Sequence, residues 1–178
     1  MEHQTIGAAP VDRSVMLTAQ APLKERYESD PPSAVVTLHA TGTLGDGISC
    51  SVATGRAIAE AGLHPASGGD GSLLCSGDRL LEALAACAGV TLRAVATSLE
   101  LPVRGGQVLA EGDLDFRGTL AVAKDAPVGF RAIRLRFDLD IDATDAQIDT
   151  LIRLTERYCV VLQTLSHSPE IAVTRARP

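Results

Sequence analysis

The segment that most constrains the fold is FRAIRLRFDLDID, at residues 130–142. Within it, apolar side chains alternate strictly with charged ones, the apolar positions being Ile133, Leu135, Phe137, Leu139 and Ile141. Because successive side chains of a strand point to opposite faces, this pattern predicts an antiparallel strand with one buried face and one solvated face. DLDFRGTLAV, at 113–122, has a similar period and predicts the partner strand of a long hairpin, with Gly118 at a bulge.

A helix is predicted from about Asp78 to Leu99, and Pro102 follows its end. Its apolar face repeats at three- and four-residue steps through Leu80, Leu81, Leu84, Ala88, Thr91 and Val95. Cys87 lies on this face, far from either end. The face predicts a helix that buries one side, with a thiol inside the buried part.

A second helix is predicted to begin at Thr144, because Gln147 three residues later completes a capping box. Its apolar face consists of Ile148, Leu151, Ile152, Thr155, Tyr158, Cys159 and Leu162. Two helices that each bury one such face are expected to pack on one another. Cys87 and Cys159 would then face each other across one core.

The remaining chain predicts few regular elements. Residues 1–33 form an arm with a short helix in APLKERYESD, and residues 34–178 form a single α+β domain. AVVTLHATG and ISCSVATG flank LGDG as a hairpin, GLHPASGGDGSLLCSG at 62–77 is a long loop, and EIAVT is a last strand. Two helices cover little of so much sheet, which favours a homodimer that shares its core.

Composition excludes several classes of function. The net charge of −6, the 3% of aromatic residues and the lack of a Lys/Arg cluster argue against a nucleic-acid partner. We expect no membrane partner either, because no apolar run approaches the roughly 18 residues of a membrane span. The opening residues lack the pattern of a signal peptide, so we expect a cytoplasmic protein with thiols at positions 50, 75, 87 and 159.

A single buried cysteine is more often a packing residue than a catalytic one. A second cysteine on the facing helix changes that balance. Two adjacent thiols suit a peroxide-reducing cycle in which one thiolate becomes a sulfenic acid and the other condenses with it to a disulfide. Cys75, just ahead of the first long helix, is a further redox thiol to consider.

A thiolate in the middle of a helix gains little from the helix dipole, so a nearby cation is expected to lower the pKa of Cys87. The sequence offers four arginines for this task, Arg26, Arg56, Arg79 and Arg93. Asp78 or Glu82 could orient the arginine. The sequence alone does not choose among them.

Other chemistry has weaker support. Cys50, His64, Cys75 and Cys87 lack the close paired spacing of metal ligands, so we expect no metal and no cofactor. His39 and His167 are more simply strand or loop residues. GGDGS lacks the lysine of a phosphate-binding loop, and DLDID fits the solvated face of a strand better than a calcium loop.

Two segments, GDRLLEALAACAGVTLRAVA and ERYCVVLQTL, resemble the OsmC/Ohr superfamily of osmotically induced and organic hydroperoxide resistance proteins. The first is similar to that family's central helix and the second to its later helix ending in a cysteine. The resemblance implies an α+β fold in which antiparallel sheets wrap around long central helices in an intertwined homodimer. It also implies that Cys87 is the peroxidatic cysteine and Cys159 the resolving one.

By the same resemblance, Asp78 matches the family's acidic partner, one methylene shorter than the usual Glu, and Arg56 matches its arginine. Val160 stands where many members have a proline. This departure and the loop at 62–77 place the chain nearer the general OsmC-like branch than the hydroperoxide-resistance branch.

The expected function is therefore that of a thiol-dependent peroxidase acting on organic hydroperoxides or hydrogen peroxide in oxidative stress defence. Apolar walls from Leu80 and Leu84 would favour alkyl hydroperoxides. A lipoylated protein or a small thiol would be the reductant. The alternative is a non-enzymatic OsmC-like stress protein that binds a small apolar ligand at the dimer interface.

Overall fold

The computed structural model describes residues 13–30, 42–44, 49–53, 58–121 and 123–175. The helices are α1 (Arg13–Ser29), α2 (Ser76–Ser98), α3 (Phe116–Thr119), α4 (Asp145–Tyr158) and α5 (Val160–Ser166). The strands are β1 (Gly42–Leu44), β2 (Ser49–Ala53), β3 (Ile58–Gly62), β4 (Leu74–Cys75), β5 (Val103–Leu114) and β6 (Phe130–Ile141). Small sheets and long helices in this order confirm the predicted α+β class.

The first sheet has the order β1-β2-β3-β4. Its β1–β2 pair is antiparallel, with Gly42 opposite Val52, which confirms a hairpin here. The turn at 45–48 and residues 34–41 of the predicted first strand lie outside the described residues. The sequence did not indicate β3, which extends the sheet, or β4, which pairs with β3 in parallel just before α2 begins.

The second sheet is a long ribbon of β5 and β6. The prediction of β6 is confirmed, but the predicted partner strand at 113–122 is wrong, because the partner is Val103–Leu114. Asp115 ends that strand by accepting a hydrogen bond from the Arg117 backbone N–H at 3.2 Å, which opens α3. Gly118 consequently lies in α3 and not at a bulge. A Cβ added at Gly118 would collide with the Pro127 carbonyl oxygen.

The outer face of the ribbon is solvated, as the alternation predicts. Its carboxylates pair with arginines on the same face: Asp140 lies 2.6 Å from Arg104, and Asp138 lies 2.8 Å from Arg136. A hydrogen bond from Arg104 holds the pKa of Asp140 below its ordinary value. Asp138 and Asp140 of the DLDID run therefore lie on an exposed strand face and pair with arginines.

The inner face of the ribbon packs on α2, and two clusters of buried side chains form along that helix. The thiol cluster consists of Leu84, Ala88 and Cys159. The hydrocarbon cluster consists of Leu92, Ala96 and Leu151. Half-buried residues of β6 cover both clusters, and Phe137 contacts each of them.

The predicted apolar face of α2 is correct in part. Leu84 and Ala88 are buried, as predicted, and the burial continues through Leu92 and Ala96. Leu80 is 37% exposed, because the buried face begins one turn later than predicted. The helix starts at Ser76, two residues before the predicted start.

The Thr144–Gln147 capping box that opens α4 is confirmed. Leu151, Thr155 and Cys159 are buried, but the prediction of Tyr158 on the buried face is wrong, because its side chain is 56% exposed. The prediction of one continuous helix from Thr144 through Leu162 is also wrong. The chain leaves helical geometry at Cys159 and starts α5 at Val160.

The two ends of the chain differ from expectation. The arm carries a helix, α1, that begins well before APLKERYESD and accommodates Pro22 inside it. Its Arg13 pairs with Glu100 at 3.0 Å. No strand forms at EIAVT within the described residues, because that segment has no hydrogen-bonded neighbour, and Ile171 and Val173 are 78% and 92% exposed.

One helix of the described part of the chain, α2, is long and apolar enough to cross a membrane by length and composition alone, with a mean hydropathy of 1.5. The core helix of a soluble protein meets the same criterion. In this fold, α2 carries four of the six buried residues of the two clusters and packs on β5 and α4. Of its apolar 18-residue window, 22% is buried.

Candidate thiol site

Cys87 and Cys159 meet in the thiol cluster, as expected from their two helix faces. Cys87 packs against this cluster from the middle of α2, and its side chain is half-buried. Cys159 lies at the junction of α4 and α5 and is 0% exposed. Both are free thiols, and Cys87 packs against the cluster that contains Cys159. Solvent therefore reaches one member of the pair and not the other.

The helix is interrupted at Cys159. Cys159 has extended geometry, with φ −71° and ψ 104°, between two helical segments. Its carbonyl accepts the Gln163 N–H at 2.9 Å, which is the first backbone hydrogen bond of α5. The preceding N–H groups, those of Val160, Val161 and Leu162, have no carbonyl partner within the helix. Hydrogen bonding by these groups contributes to the pKa shifts of the two thiols.

The pKa of Cys87 lies below that of an ordinary thiol. Burial would raise this pKa, but four hydrogen bonds together outweigh burial. The donors, in decreasing order of effect, are the Val161 N–H, the Cys159 thiol, the Thr91 hydroxyl and the Val160 N–H. Cys87 is thus held toward its nucleophilic thiolate form without a guanidinium among these donors.

The pKa of Cys159 is raised. Burial is the largest cause, and hydrogen bonding to Cys87 and the charge of Cys87 raise it further. The N–H groups of Leu162 and Val161 offset only part of this effect. The pair is therefore asymmetric: one accessible sulfur that favours the thiolate lies beside one inaccessible sulfur that favours the thiol.

A groove of about 420 Å³ lies next to the thiol cluster, between β6 and the α4–α5 junction. Five of its lining residues also pack against that cluster, namely Ile133, Leu135, Phe137, Leu162 and Leu165. Phe130, Arg131, Ala132, Glu156 and Ser166 complete its lining. The groove thus combines an apolar wall with a few polar groups. Leu80 and Leu84, the walls expected from the sequence, do not line it.

The charged residues expected near Cys87 lie elsewhere or outside the described residues. Asp78 is exposed in the first turn of α2, nine residues before Cys87, which is about 13 Å along the axis and on the opposite side of the helix. Arg56 and the side chain of Arg26 lie outside the described residues. Arg79 pairs with Glu82 at 2.7 Å, and Arg93 donates to the Val103 carbonyl at 2.5 Å.

The alternative ligands have structural roles where the structure describes them. His64 Nδ1 accepts the Ala66 N–H at 3.0 Å, and its ring stacks on Phe116 with centroids 4.9 Å apart. Asp70 accepts the Ser72 hydroxyl at 2.6 Å within the GGDGS loop. Among the described residues, no group of three or more His, Cys, Asp or Glu side chains could hold a metal ion. Cys75 is a half-buried thiol at the start of α2.

Two features of the site were missed from the sequence. Thr91 was assigned to an apolar face, although its hydroxyl lies one turn after Cys87 and lowers the pKa of that thiol by hydrogen bonding. The signal was available, because residues four apart are neighbours on a helix. The helix break at Cys159 has no comparable signal, because no glycine or proline marks it in ERYCVVLQTL.

The fold and the thiol pair together define a class of protein, an α+β protein with a central-helix cysteine facing a second cysteine at a helix junction. The family model described as OsmC-like protein matches residues 69–174, which include α2 and both thiols. The match covers more than half of the chain, and the chain belongs to the OsmC-like family.

Solved structures agree with this assignment at the level of the fold. An OsmC-like protein from Mycoplasma pneumoniae is 18% identical, with a TM-score of 0.63 over 75% of this chain and 89% of that one. An OsmC-like protein of unknown function from Vibrio cholerae is 13% identical, with a TM-score of 0.60 over 73% and 94%. An organic hydroperoxide resistance protein OsmC from Legionella pneumophila is 15% identical, with a TM-score of 0.56 over 75% and 91%. No curated protein sequence matches the chain.

Proposed function

We propose that this chain is a thiol-dependent peroxidase that reduces organic hydroperoxides or hydrogen peroxide, with Cys87 as the peroxidatic and Cys159 as the resolving cysteine. The observation that carries the proposal is the asymmetry of the pair. The accessible Cys87 has a lowered pKa, and the inaccessible Cys159 has a raised one. Peroxide therefore meets the better nucleophile first, and the second sulfur waits beside it as a thiol.

In the first step, the Cys87 thiolate attacks the terminal oxygen of the hydroperoxide. The S–O bond forms as the O–O bond breaks, so the sulfur is oxidised to a sulfenic acid and the peroxide is reduced. The departing alkoxide takes a proton from water and leaves as the alcohol. Hydrogen bonds to the Cys87 sulfur maintain the thiolate population that this step consumes.

In the second step, the Cys159 thiol condenses with the Cys87 sulfenic acid. The S–S bond forms, and the sulfenic oxygen leaves as water with the thiol proton. The dithiol of a lipoylated protein, or two molecules of a small thiol, then reduces the disulfide to two thiols and is itself oxidised to a disulfide. Both cysteines belong to one packed cluster, which supports a direct condensation between them.

The groove supports an organic hydroperoxide as the substrate. Its apolar wall is continuous with the thiol cluster through Leu135, Phe137 and Leu162, and it suits the alkyl part of such a molecule. The names of two proteins with similar folds, from Legionella pneumophila and Elizabethkingia anophelis, point to organic hydroperoxide resistance. At 15% identity they support the assignment only through the shared fold.

The proposed active form is an intertwined homodimer in the cytoplasm. Val90 on α2 is 72% exposed and Val160 is 71% exposed, on either side of the thiol pair. A second copy of the chain is proposed to cover these two side chains. Size-exclusion chromatography with light scattering tests this part, because a monomer would contradict it.

Asp78 and Arg56 are proposed to assist Cys87 across that dimer interface. Asp78 cannot reach the Cys87 of its own chain, because it lies on the far side of α2. Asp78→Asn should therefore slow the reaction of Cys87 with peroxide without unfolding the protein. An unchanged rate would remove Asp78 from the site.

The test of the proposed function compares Cys87→Ser with Cys75→Ser, which removes another half-buried thiol, at the end of β4. With cumene hydroperoxide and a dithiol, we expect Cys87→Ser to lose about 10⁴-fold or more of the turnover, as expected for a missing nucleophile. Cys75→Ser should retain the wild-type rate. Mass spectrometry of the oxidised protein should show a loss of about two mass units for one disulfide between Cys87 and Cys159.

Wild-type turnover by Cys87→Ser would overturn the peroxidase assignment. The groove beside the thiol cluster would then favour the alternative function, a non-enzymatic stress protein that binds a small apolar ligand. In that case Cys87 should stay unreactive toward alkylating reagents at neutral pH. An apolar fluorescent probe displaced by candidate ligands would measure the binding.

A further inference from the structure

We propose that the groove beside the thiol cluster binds a zwitterionic hydroperoxide, namely the hydroperoxide of an apolar amino acid such as leucine. This inference rests on the proposed function and names the substrate class of the same site. Such a molecule has three parts: a carboxylate, an ammonium group, and a branched alkyl part that carries the hydroperoxide. The groove has a matching group for each part, in Arg131, Glu156 and its apolar wall.

Arg131 is the cation of the groove. The other two arginines of β6, Arg134 and Arg136, donate hydrogen bonds to carboxylates on the outer face of the ribbon, at 2.9 and 2.8 Å. Arg131 lines the groove, and its ion-pair partner Asp115 lies 3.7 Å from its Nη1 atom, which is beyond the distance of a hydrogen bond. Of the three guanidinium groups, that of Arg131 is therefore the one least held by a carboxylate of the described residues.

Asp115 is held by another arginine. Its Oδ1 atom accepts the Arg117 Nε–H at 2.9 Å, and its Oδ2 atom accepts an N–H from Arg117 Nη2 at 2.6 Å. This two-point contact is a preferred geometry between a carboxylate and a guanidinium group. Because Arg117 engages both oxygens, Arg131 has donors for a second carboxylate, and its side chain is 59% exposed. A ligand carboxylate can therefore bind Arg131 while Asp115 keeps its hydrogen bonds to Arg117.

Glu156 is the anion of the groove. It lies on α4, three residues before Cys159, which is about 4.5 Å along the helix axis. Its side chain is exposed, and within the described part of the chain its carboxylate makes no ion pair, either with Arg131 or with another cation. A simple anion would be attracted by the strand wall and repelled by the helix wall, whereas a zwitterion complements both.

The apolar wall suits the reacting part of the substrate. Ile133, Leu135 and Leu162 line the groove and also pack against the thiol cluster, as Cys87 does. The volume of about 420 Å³ is near the lower end of the range for ligand sites, about 300–1,000 Å³, which favours a compact molecule. The Cys87 thiolate takes the terminal oxygen as the O–O bond breaks, and the departing alkoxide takes a proton from water and leaves as the hydroxylated amino acid.

The first measurement needs no variant. With a dithiol as the reductant, it compares kcat/KM for leucine hydroperoxide with kcat/KM for two analogues that have the same alkyl part. One analogue lacks the ammonium group, and the other lacks the carboxylate. We expect leucine hydroperoxide to exceed each analogue by about threefold to tenfold, the effect of one charged contact. An analogue that reacts as well as leucine hydroperoxide would overturn the proposal.

Two variants assign the charged contacts to residues. Arg131→Gln should abolish the preference for leucine hydroperoxide over the analogue without a carboxylate, and should retain the preference over the analogue without an ammonium group. Glu156→Gln should do the reverse. Each result is a ratio of two substrates in one protein, so a general loss of activity does not affect it. A folded variant that retains both preferences would overturn the proposal.

Matched controls come from the same two elements. Arg136→Gln removes an arginine of β6 that pairs with Asp138, and Asp149→Asn removes an exposed carboxylate of α4. Neither residue lines the groove. Both variants should retain the two wild-type preferences. Loss of a preference in these controls would assign it to the net charge of the protein, and the proposal would be overturned.

Binding without chemistry separates this proposal from the peroxidase assignment. Hydroxyleucine, the alcohol that the reaction would release, is titrated into ¹⁵N-labelled Cys87→Ser protein, and the amide resonances of the groove residues are followed. We expect saturable shifts, and we expect Arg131→Gln in the same background to weaken the binding about threefold to tenfold.

The two proposals then fail in different ways. If hydroxyleucine binds in this manner but no hydroperoxide is reduced by the wild-type protein, the peroxidase assignment fails and the zwitterion site stands. If cumene hydroperoxide is reduced normally, but hydroxyleucine does not bind and leucine hydroperoxide has no advantage over its analogues, only the zwitterion site fails.

Discussion

The thiol cluster and the hydrocarbon cluster lie on the same face of α2, one after the other, and both include residues from the α4–α5 region. The hydrocarbon cluster meets an unbroken part of α4, at Leu151, with Leu92 and Ala96 opposite. The thiol cluster meets the same chain two turns later, where helical geometry stops at Cys159. The two clusters differ less in composition than in the continuity of the backbone beside them.

This difference in backbone continuity distinguishes a cluster with a packing role from a cluster with a chemical role within one pair of helices. In an unbroken helix the backbone N–H groups are all used by carbonyls of the preceding turn, so they cannot act on a neighbour. At the break they are available, and their hydrogen bonding contributes to the pKa shifts of the two thiols. The hydrocarbon cluster can contribute stability only, whereas the thiol cluster can also control the charge of a nucleophile.

The largest effect on stability is expected from Leu151→Ala in the hydrocarbon cluster. Leu151 is fully buried, so its truncation leaves a cavity and should lower the free energy of unfolding by about 2–5 kcal/mol. Urea denaturation measures this change. Leu120→Ala, at a side chain that is 52% exposed, is the control and should change it by less than about 0.5 kcal/mol.

The same variant tests whether the two clusters are separate in function. Leu151 lies two turns from Cys159, so the folded Leu151→Ala protein should alkylate Cys87 at the wild-type rate. A large fall in that rate would show that the hydrocarbon cluster also controls the thiolate, and the comparison would break down.

A smaller effect on stability is expected from Cys159→Ala in the thiol cluster. Removing one buried sulfur should cost only about 1 kcal/mol, because the lost apolar surface is close to that of one methylene. Its chemical effect is larger: peroxide should leave Cys87 as a sulfenic acid, which dimedone traps and mass spectrometry detects. A disulfide from Cys87 to another cysteine in this variant would remove Cys159 as the resolving residue.

The smallest effect is expected from Thr91→Val, which replaces a hydroxyl donor to Cys87 by a methyl group. Because this hydrogen bond lowers the pKa of Cys87, its loss should raise that pKa and slow alkylation at pH 7 about twofold to fivefold. At pH values well above the midpoint, where Cys87 is fully ionised, the difference should disappear.

Thr97→Val is the matched control for this change. The Thr97 hydroxyl also donates a hydrogen bond within α2, to the Arg93 carbonyl at 2.8 Å. It lies in the last turn of the helix, away from Cys87. Thr97→Val should leave the alkylation profile unchanged. Equal slowing by both variants would assign the effect to the helix as a whole and not to the donor at Cys87.

Much of the fold follows from short-range patterns in the sequence. Strict alternation predicted β6, and the Thr144–Gln147 box predicted the start of α4. The partner strand was placed too late, because β5 contains Gly105, Gly106 and Gly112, which hide its alternation. The predicted last strand failed for a different reason, because a strand also needs a neighbour, which local sequence does not report.

The candidate site, like the fold, was predicted only in part from the sequence. The two helix faces predicted that Cys87 and Cys159 would meet, and they do. The sequence pointed to arginines for lowering the pKa of Cys87, and Arg56 among them lies outside the described residues. Within the described residues, two backbone N–H groups, the Cys159 thiol and the Thr91 hydroxyl lower that pKa. The sequence carries no local signal for the break at Cys159, because no glycine or proline marks it.

Gly112 illustrates how β5, the partner strand of β6, affects the groove. An added Cβ at this position would lie about as close as 2.5 Å to the ring of Phe130, so the ring rests directly on the bare backbone of β5. Phe130 also lines the groove beside the thiol cluster. Any side chain at position 112 would therefore move the aromatic ring of Phe130. The width of the groove that an incoming molecule enters would change with it.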